Sequence, residues 1–150
     1  RRREERGEGK PETFTFLGFT HICGTGRNGK FKVMRQTIRK KMQAKIKELK
    51  SEMIRRMHEP IQEVGEWLKK VVSGHNQYFG VPDNAAALNL FRYKVYWSWR
   101  RVLMRRSQKG YITWEKMRKL TDRWLPKPRI CHPHPLTRFC VRTQGRSPVR

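Results

Sequence analysis

Acidic side chains are what this sequence has least of. Its 150 residues include 12 Asp and Glu against 36 Lys and Arg, and the only aspartates are Asp83 and Asp122. Neither neighbours another acid, so the carboxylate cluster that two-metal nucleotidyl transfer requires is missing. A glycine-rich phosphate loop ending in Lys-Ser or Lys-Thr is also missing, as is a Gly-x-Ser-x-Gly nucleophile elbow. No catalytic residue, metal ligand set or cofactor is assigned on these grounds, and the chain alone is not expected to be an enzyme. Cysteine is sparse: Cys23, Cys131 and Cys140 are odd in number and widely spaced, which excludes a disulfide framework and fits a reducing, intracellular setting. No apolar run reaches the roughly 20 residues of a bilayer crossing, so no membrane partner is expected. Arg1 to Lys10 is charged and lacks the apolar centre of a signal peptide. Opening on Arg1, the chain reads as a piece of a longer protein.

What the sequence has in excess is positive charge. The net charge is +24 and the pI about 11.1. Such a charge repels itself in a compact state and is tolerated for a polyanionic partner, whose condensed counterions the basic groups release. It is not confined to one tail. Arg35 to His58 holds nine Lys or Arg and two Glu, Arg92 to Lys109 holds seven and no acid, and Lys127 to Arg150 holds six and no acid.

Periodicity divides the chain into four parts. Residues 1–12 are a charged lead-in. Thr13 to Met34 predicts a β-hairpin: Thr13 to Ile22 is rich in aromatic and β-branched residues, Asn28-Gly29 is a turn signal, and Lys30 to Met34 alternates polar and apolar. Residues 35–125 predict a helical domain. Ile38, Met42, Ile46, Leu49, Met53 and Met57 mark one face of a first helix that ends before Pro60. A second helix is predicted over Ile61 to Val72 with Val64, Trp67, Leu68 and Val71 inward and Gly74 as its C-terminal cap. His75 to Pro82, carrying Tyr78 and Phe79, is expected to be a connector. Asp83 or Asn84 caps a third helix that runs to Arg106 with Leu88, Phe91, Val95, Trp99 and Val102 inward. A fourth, from Thr113 to Trp124, turns Trp114, Met117, Leu120 and Trp124 inward. Residues 126–150 are an extended basic tail. The fold class is mainly α: an N-terminal β-hairpin, a bundle of three to four helices and an irregular Pro/Arg-rich C-terminal tail.

Two groupings bear on binding. Leu90, Trp97 and Met104 share a stripe opposite the core stripe of the third helix, with Lys94, Arg101 and Arg105 beside it. An outer aromatic flanked by cations suits stacking on an unpaired base with phosphate contact, whereas a helix sandwiched in a bundle would bury the same stripe. Cys131, His132, His134 and Cys140 fit no common zinc spacing, and packing is the expected role of the two cysteines. The candidate phosphate contacts are Arg39, Lys40, Lys45, Arg55, Arg56, Lys69, Lys70, Lys94, Arg100, Arg101, Arg105, Arg106, Lys109, Arg129 and Arg138. Trp97 and Tyr78 are the candidates for base stacking.

Phe14-Thr15-Phe16-Leu17-Gly18-Phe19-Thr20-His21 resembles the last palm motif of group II intron reverse transcriptases. The chain beyond this motif resembles their thumb and maturase-specific domain X. In order come Val64 to Leu68, Gly74 to Phe79, Asn84, Leu88, Phe91, and the run Trp99 to Lys109. After these come Thr113-Trp114, Trp124-Leu125-Pro126, Pro128 to Ile130, His132-Pro133-His134-Pro135 and Arg138-Phe139. The similarity spans about Lys10 to Phe139. Carried over position by position, the family frame is Phe16, Leu17, Gly18, Phe19, Gly74, Tyr78, Trp114, Trp124, Pro126, His132, Pro133, Pro135 and Arg138, most of it shaping the fold. The resemblance implies a module that binds structured intron RNA and helps it fold for splicing while the RNA performs the transesterifications. In the family the same domains also contact an RNA/DNA template–primer duplex, and a bacterial cytoplasm is the implied location. The polymerase's Tyr followed by paired aspartates is absent here. The fingers and most of the palm would precede Arg1, and the zinc endonuclease of some members would follow Arg150. Three alternatives stand beside the maturase module. They are a non-catalytic piece of a reverse transcriptase whose catalytic half lies upstream, a remnant of a decayed mobile element with Phe14, Phe16 and Phe19 exposed, and a generic basic RNA chaperone.

Overall fold

In a computed structural model, the described residues are 13–26, 29, 31–106 and 111–133. The fold is mainly α. An antiparallel sheet of β1 (Phe14–Phe16), β2 (Phe19–Thr25) and β3 (Phe31–Thr37), in that spatial order, precedes α1 (Arg39–Arg55), α2 (Ile61–Phe79), α3 (Ala85–Met104) and α4 (Trp114–Trp124). The expected hairpin is β2–β3, with Thr25 opposite Phe31 and Phe19 opposite Thr37. The segment predicted as its first strand is in fact two strands. Leu17 and Gly18 form a two-residue turn between Phe16 and Phe19, both at positive φ (47° and 84°). That is the turn whose twist suits a tight hairpin, and it needs a glycine most at the second position. Leu17 is held there from outside: the Tyr78 hydroxyl donates to its carbonyl at 2.9 Å, and Ile38 N–H donates to the Gly18 carbonyl at 3.0 Å. A Cβ on Gly18 would stand 3.3 Å from the Phe79 ring. The Phe16 to Phe19 motif is therefore a turn docked on the end of α2.

The first helix begins two residues later than expected, because β3 continues to Thr37. The second is longer than expected. Gly74 is not a cap but a mid-helix residue with open space beside it, and Tyr78 and Phe79 are the last turn of α2 rather than a connector. The helix stops at Gly80, whose carbonyl accepts from Cys131 N–H (2.7 Å) and His132 N–H (3.0 Å). The His132 ring nitrogen lies 2.7 Å from the Gln77 carbonyl, so the irregular chain after α4 satisfies orphan carbonyls at the end of α2. Asn84 caps nothing with its side chain. It accepts from Thr37 N–H at 2.9 Å and donates to Thr37 Oγ1 and the Phe79 carbonyl, both at 2.8 Å. Asp83 sits at φ 73° and pairs with Lys32 at 2.6 Å. The start of α1 and the start of α3 are thereby stitched together, and the two helices run in the same direction.

The core follows the predicted stripes with Met42, Leu49 and Met53 from α1, Val64 and Leu68 from α2, and Phe91, Val95, Trp99 and Val102 from α3; on α2 Val72, not in the predicted stripe, is fully buried, and the predicted Trp67 and Val71 are partly buried at its edge. Met117, Trp124 and Leu125 close it from α4. Gly65 lets α2 approach α4, since a Cβ there would meet the Trp124 ring at 2.6 Å. Trp114 is the exception among the residues predicted to face inward, at 53% exposed. Of the phenylalanines expected to be exposed, Phe14 and Phe16 are, whereas Phe19 is buried against Tyr78 and Phe79. Among the described residues no helix is long and apolar enough to cross a membrane.

Candidate nucleic-acid interface

The structure sorts the fifteen predicted cations into three groups. Lys45, Arg55 and Arg56 are committed inside the protein. Lys45 pairs with Glu48 at 2.7 Å, Arg55 with Glu52 at 2.8 Å, and Arg56 with Glu52 at 2.6 Å and Glu59 at 3.4 Å. Arg56 also lies 5.1 Å over the Trp67 ring. The hydrogen-bonded Arg56 and Arg55 guanidiniums hold the Glu52 carboxyl below its ordinary range. These pairs lie along one flank of α1, where Lys45, Glu48, Glu52 and Arg55 line a groove with Trp67 and Val71 of α2. Each has its counter-charge three or four residues away, the spacing at which helical side chains meet.

The second group is exposed and has no acid partner among the described residues. Arg39, Lys40, Lys69, Lys70, Lys94, Arg101, Arg105 and Arg129 belong to it. At about 100° per residue Lys94, Arg101 and Arg105 fall within about 40° of one another. They lie across α3 from Arg92, which donates to the Leu125 carbonyl at 3.2 Å. The opposite flank of α1 from its ion pairs carries exposed Lys40, Lys47 and Lys50. α1 packs on α3, and each carries exposed cations, Lys40, Lys47 and Lys50 on the first and Lys94, Arg101 and Arg105 on the second. Lys47 and Lys50 were not among the predicted contacts, although the signal was available: neither has an acid three or four residues away. Cations in the first turn of α1, where no acid stands, oppose its dipole. Lys69 and Arg129, far apart in sequence, line one cleft with Lys127 and Ser73.

The third group is partly buried or not described. Arg106 is half-buried. Arg100 lies 4.0 Å over the Trp114 ring and 5.8 Å from Trp97. Lys109, Pro135 and Arg138 lie outside the described residues, as do His134 and Cys140. The remaining zinc candidates, Cys131 and His132, are engaged with backbone, and Cys131 is exposed rather than packed inside. Among the described residues no three His, Cys, Asp or Glu gather as a metal site.

The stacking candidates divide as well. Trp97 is not an open platform. It is half-buried at the centre of an aromatic cluster, edge-on to Tyr93 (6.0 Å), Tyr96 (5.5 Å) and Trp114 (5.6 Å). The exposed faces belong to the rings around it, Tyr93 at 57% and Trp114 at 53%. Leu90 and Met104 on the same stripe are exposed, as expected. Tyr78 is half open to solvent, but its hydroxyl and ring are engaged by the Leu17 turn and by Phe19 and Phe79.

A second, apolar surface lies on the sheet. Alternation puts Phe14, Phe16, His21, Phe31 and Val33 on one face, and only its Phe19–Thr37 end is covered by α2. Phe14 stacks flat on His21 at 4.6 Å, while Phe16 and Phe31 stay exposed.

The chain matches no protein-family model, no curated protein and no solved structure.

Proposed function

We propose that this chain is an RNA-binding module of the maturase type, which holds a structured intron RNA on the basic rows of α1 and α3 and leaves the splicing chemistry to the RNA. The observation that carries this is the exposed, acid-free set Lys94, Arg101 and Arg105 on α3, together with exposed Lys40, Lys47 and Lys50 on α1, the helix that packs on it. Two parallel helices presenting cations at their own spacing suit phosphates along a backbone, which set affinity and register. Exposed rings at the margin supply the contacts that depend on unpaired bases. An enzyme piece is favoured by one separate observation: Phe16 and Phe31 are exposed on a sheet face that the described residues leave uncovered. On that reading the sheet closes against an upstream palm, and the whole assembly is an RNA-directed DNA polymerase.

Binding across a salt series tests the proposal, with a folded group II intron against a tRNA of similar charge density. Neutralising about eight phosphates gives a log–log slope of roughly −6 to −7. Tighter intron binding that persists at high salt is expected. Equal binding of both RNAs that vanishes with salt leaves only a polycation. Primer extension after mixing with an upstream fingers–palm segment tests the polymerase reading.

A further inference from the structure

A groove of about 930 Å³ lies between α3 and α4, and it differs from the basic rows in kind. Its walls are the exposed rings of Tyr93 and Trp114. Its charges balance: Arg92 and Arg118 stand against Glu115 and Asp122. The groove lined by Lys45, Glu48, Glu52 and Arg55 is charge-balanced too, but its ring, Trp67, lies under the Arg56 guanidinium, whereas Tyr93 and Trp114 are exposed.

The chemistry narrows the occupant. Phosphate is disfavoured by the two carboxylates: Arg92, whose Nε–H donates to the Leu125 carbonyl, and Arg118 do no more than balance Glu115 and Asp122. A cationic peptide is repelled by the rest of the surface. A flat, uncharged, hydrogen-bonding ring fits all of it. Stacking on Tyr93 and Trp114 uses both π-faces, and Asp122 with the Asn89 side-chain carbonyl accepts from ring-edge N–H groups. The Asn89 amide N–H is already given to the Ala85 carbonyl, which leaves that oxygen facing outward as an acceptor. Trp114 is fixed from behind, with the Arg100 guanidinium at 4.0 Å on its ring and the Trp97 edge at 5.6 Å.

We infer that the α3–α4 groove takes an unpaired nucleobase, turned out of the bound RNA and stacked on Tyr93 and Trp114. This rests on the RNA-binding reading and adds to it a base-dependent contact separate from the phosphate rows.

The test uses the full chain and a single-stranded RNA of roughly ten nucleotides, against the same strand with abasic sites at its centre. Affinity is read by fluorescence anisotropy at fixed salt. The wild type is expected to bind the base-bearing strand about tenfold tighter, the worth of stacking a base or so. Tyr93→Ala is expected to erase that gap while binding the abasic strand as before, and Tyr93→Phe to restore it. Trp114→Ala gives a second check, and circular dichroism confirms that both variants keep their helices. The inference is overturned when wild type binds both strands equally, or when Tyr93→Ala and Trp114→Ala leave the gap intact. In either case tight binding to the intron keeps the RNA-binding reading alive. Failure of the wild type to bind either strand or the intron overturns both.

Discussion

Helices α1 and α3 are the two longest basic surfaces of the protein, and their charges are not equivalent. The first carries seven Lys or Arg and two Glu between Arg39 and Arg55, and the second carries four cations and no acid between Ala85 and Met104. By count α1 is the stronger polycation. By availability part of it is neutralised: Glu48, Glu52 and Glu59 hold Lys45, Arg55 and Arg56, while Arg39, Lys40, Lys41, Lys47 and Lys50 are exposed with no acid partner among the described residues. The α3 row has no such internal answer. Formal charge therefore overstates what a phosphate can reach wherever an acid stands three or four residues from a base.

Separating the two helices is the most direct way to break this comparison. Asn84→Ala removes two buried hydrogen bonds that tie Thr37, before α1, to the start of α3 and a part-buried one to the Phe79 carbonyl, and leaves Thr37 N–H unpartnered. A loss of about 3 kcal/mol is expected in chemical denaturation. RNA affinity should fall with it, since two rows that are no longer in register cannot share one backbone.

Charge reversal sharpens the comparison at its centre. Arg101→Glu with Arg105→Glu is expected to weaken RNA binding tenfold or more and to flatten the salt slope by roughly 1.4–1.8, with helical circular dichroism intact. The matching pair Arg55→Glu with Arg56→Glu should act in the opposite sense: a lower melting temperature, because Glu52 and Glu59 lose their partners, and a much smaller change in salt slope. Equal slopes for the two doubles would remove the distinction between available and committed charge.

Acid titration probes the packing behind the two rows. His75 is held between Phe91 (3.6 Å) and Phe79 (4.6 Å), and its pKa is lowered to about 4 by burial first and by Lys45 second. Folding excludes a proton that the unfolded chain accepts. Stability should therefore fall as pH drops from about 6.5 to about 4 and then level off. With part of the ring open to water, the loss is on the order of 1–2 kcal/mol. His75→Phe should flatten that window in a pH series of urea melts.

The smallest effect expected is at Glu52, the acid that silences two cations of α1. Its carboxyl is depressed by Arg56 and Arg55, so its stabilisation is present above the ordinary carboxylate range and is lost as pH falls through the lowered value. Glu52→Gln should remove this acid-range dependence with a slight loss of stability at neutral pH. It should also raise RNA affinity slightly as Arg55 is released, measurable in the same anisotropy assay.

The core stripes of all four helices were legible because burial on a helix repeats with the helix's own period, and Leu49, Leu68, Phe91, Trp99 and Met117 are buried as that period requires. The ion pairs of α1 were equally legible, since Glu48 and Glu52 stand at contact spacing from their partners. Other features depend on residues far apart in sequence. Gly74 has the chemistry of a helix cap, but α2 passes through it because the Leu17–Gly18 turn and His132 hold a further turn of helix in place. Asn84 resembles a cap and became a stitch, because Thr37 arrives from 47 residues away. Trp97 and Trp114 were decided by α4, which lies across the outer stripe of α3: it covers Trp97, which the sequence left either open or sandwiched, and leaves exposed Trp114, which was expected to face inward. The sequence alone determined the excess of positive charge, the helices and their apolar faces, all set by neighbours within a turn or two. Only the tertiary structure decided which cations face outward together and where an aromatic groove opens, because both depend on which helix packs beside which.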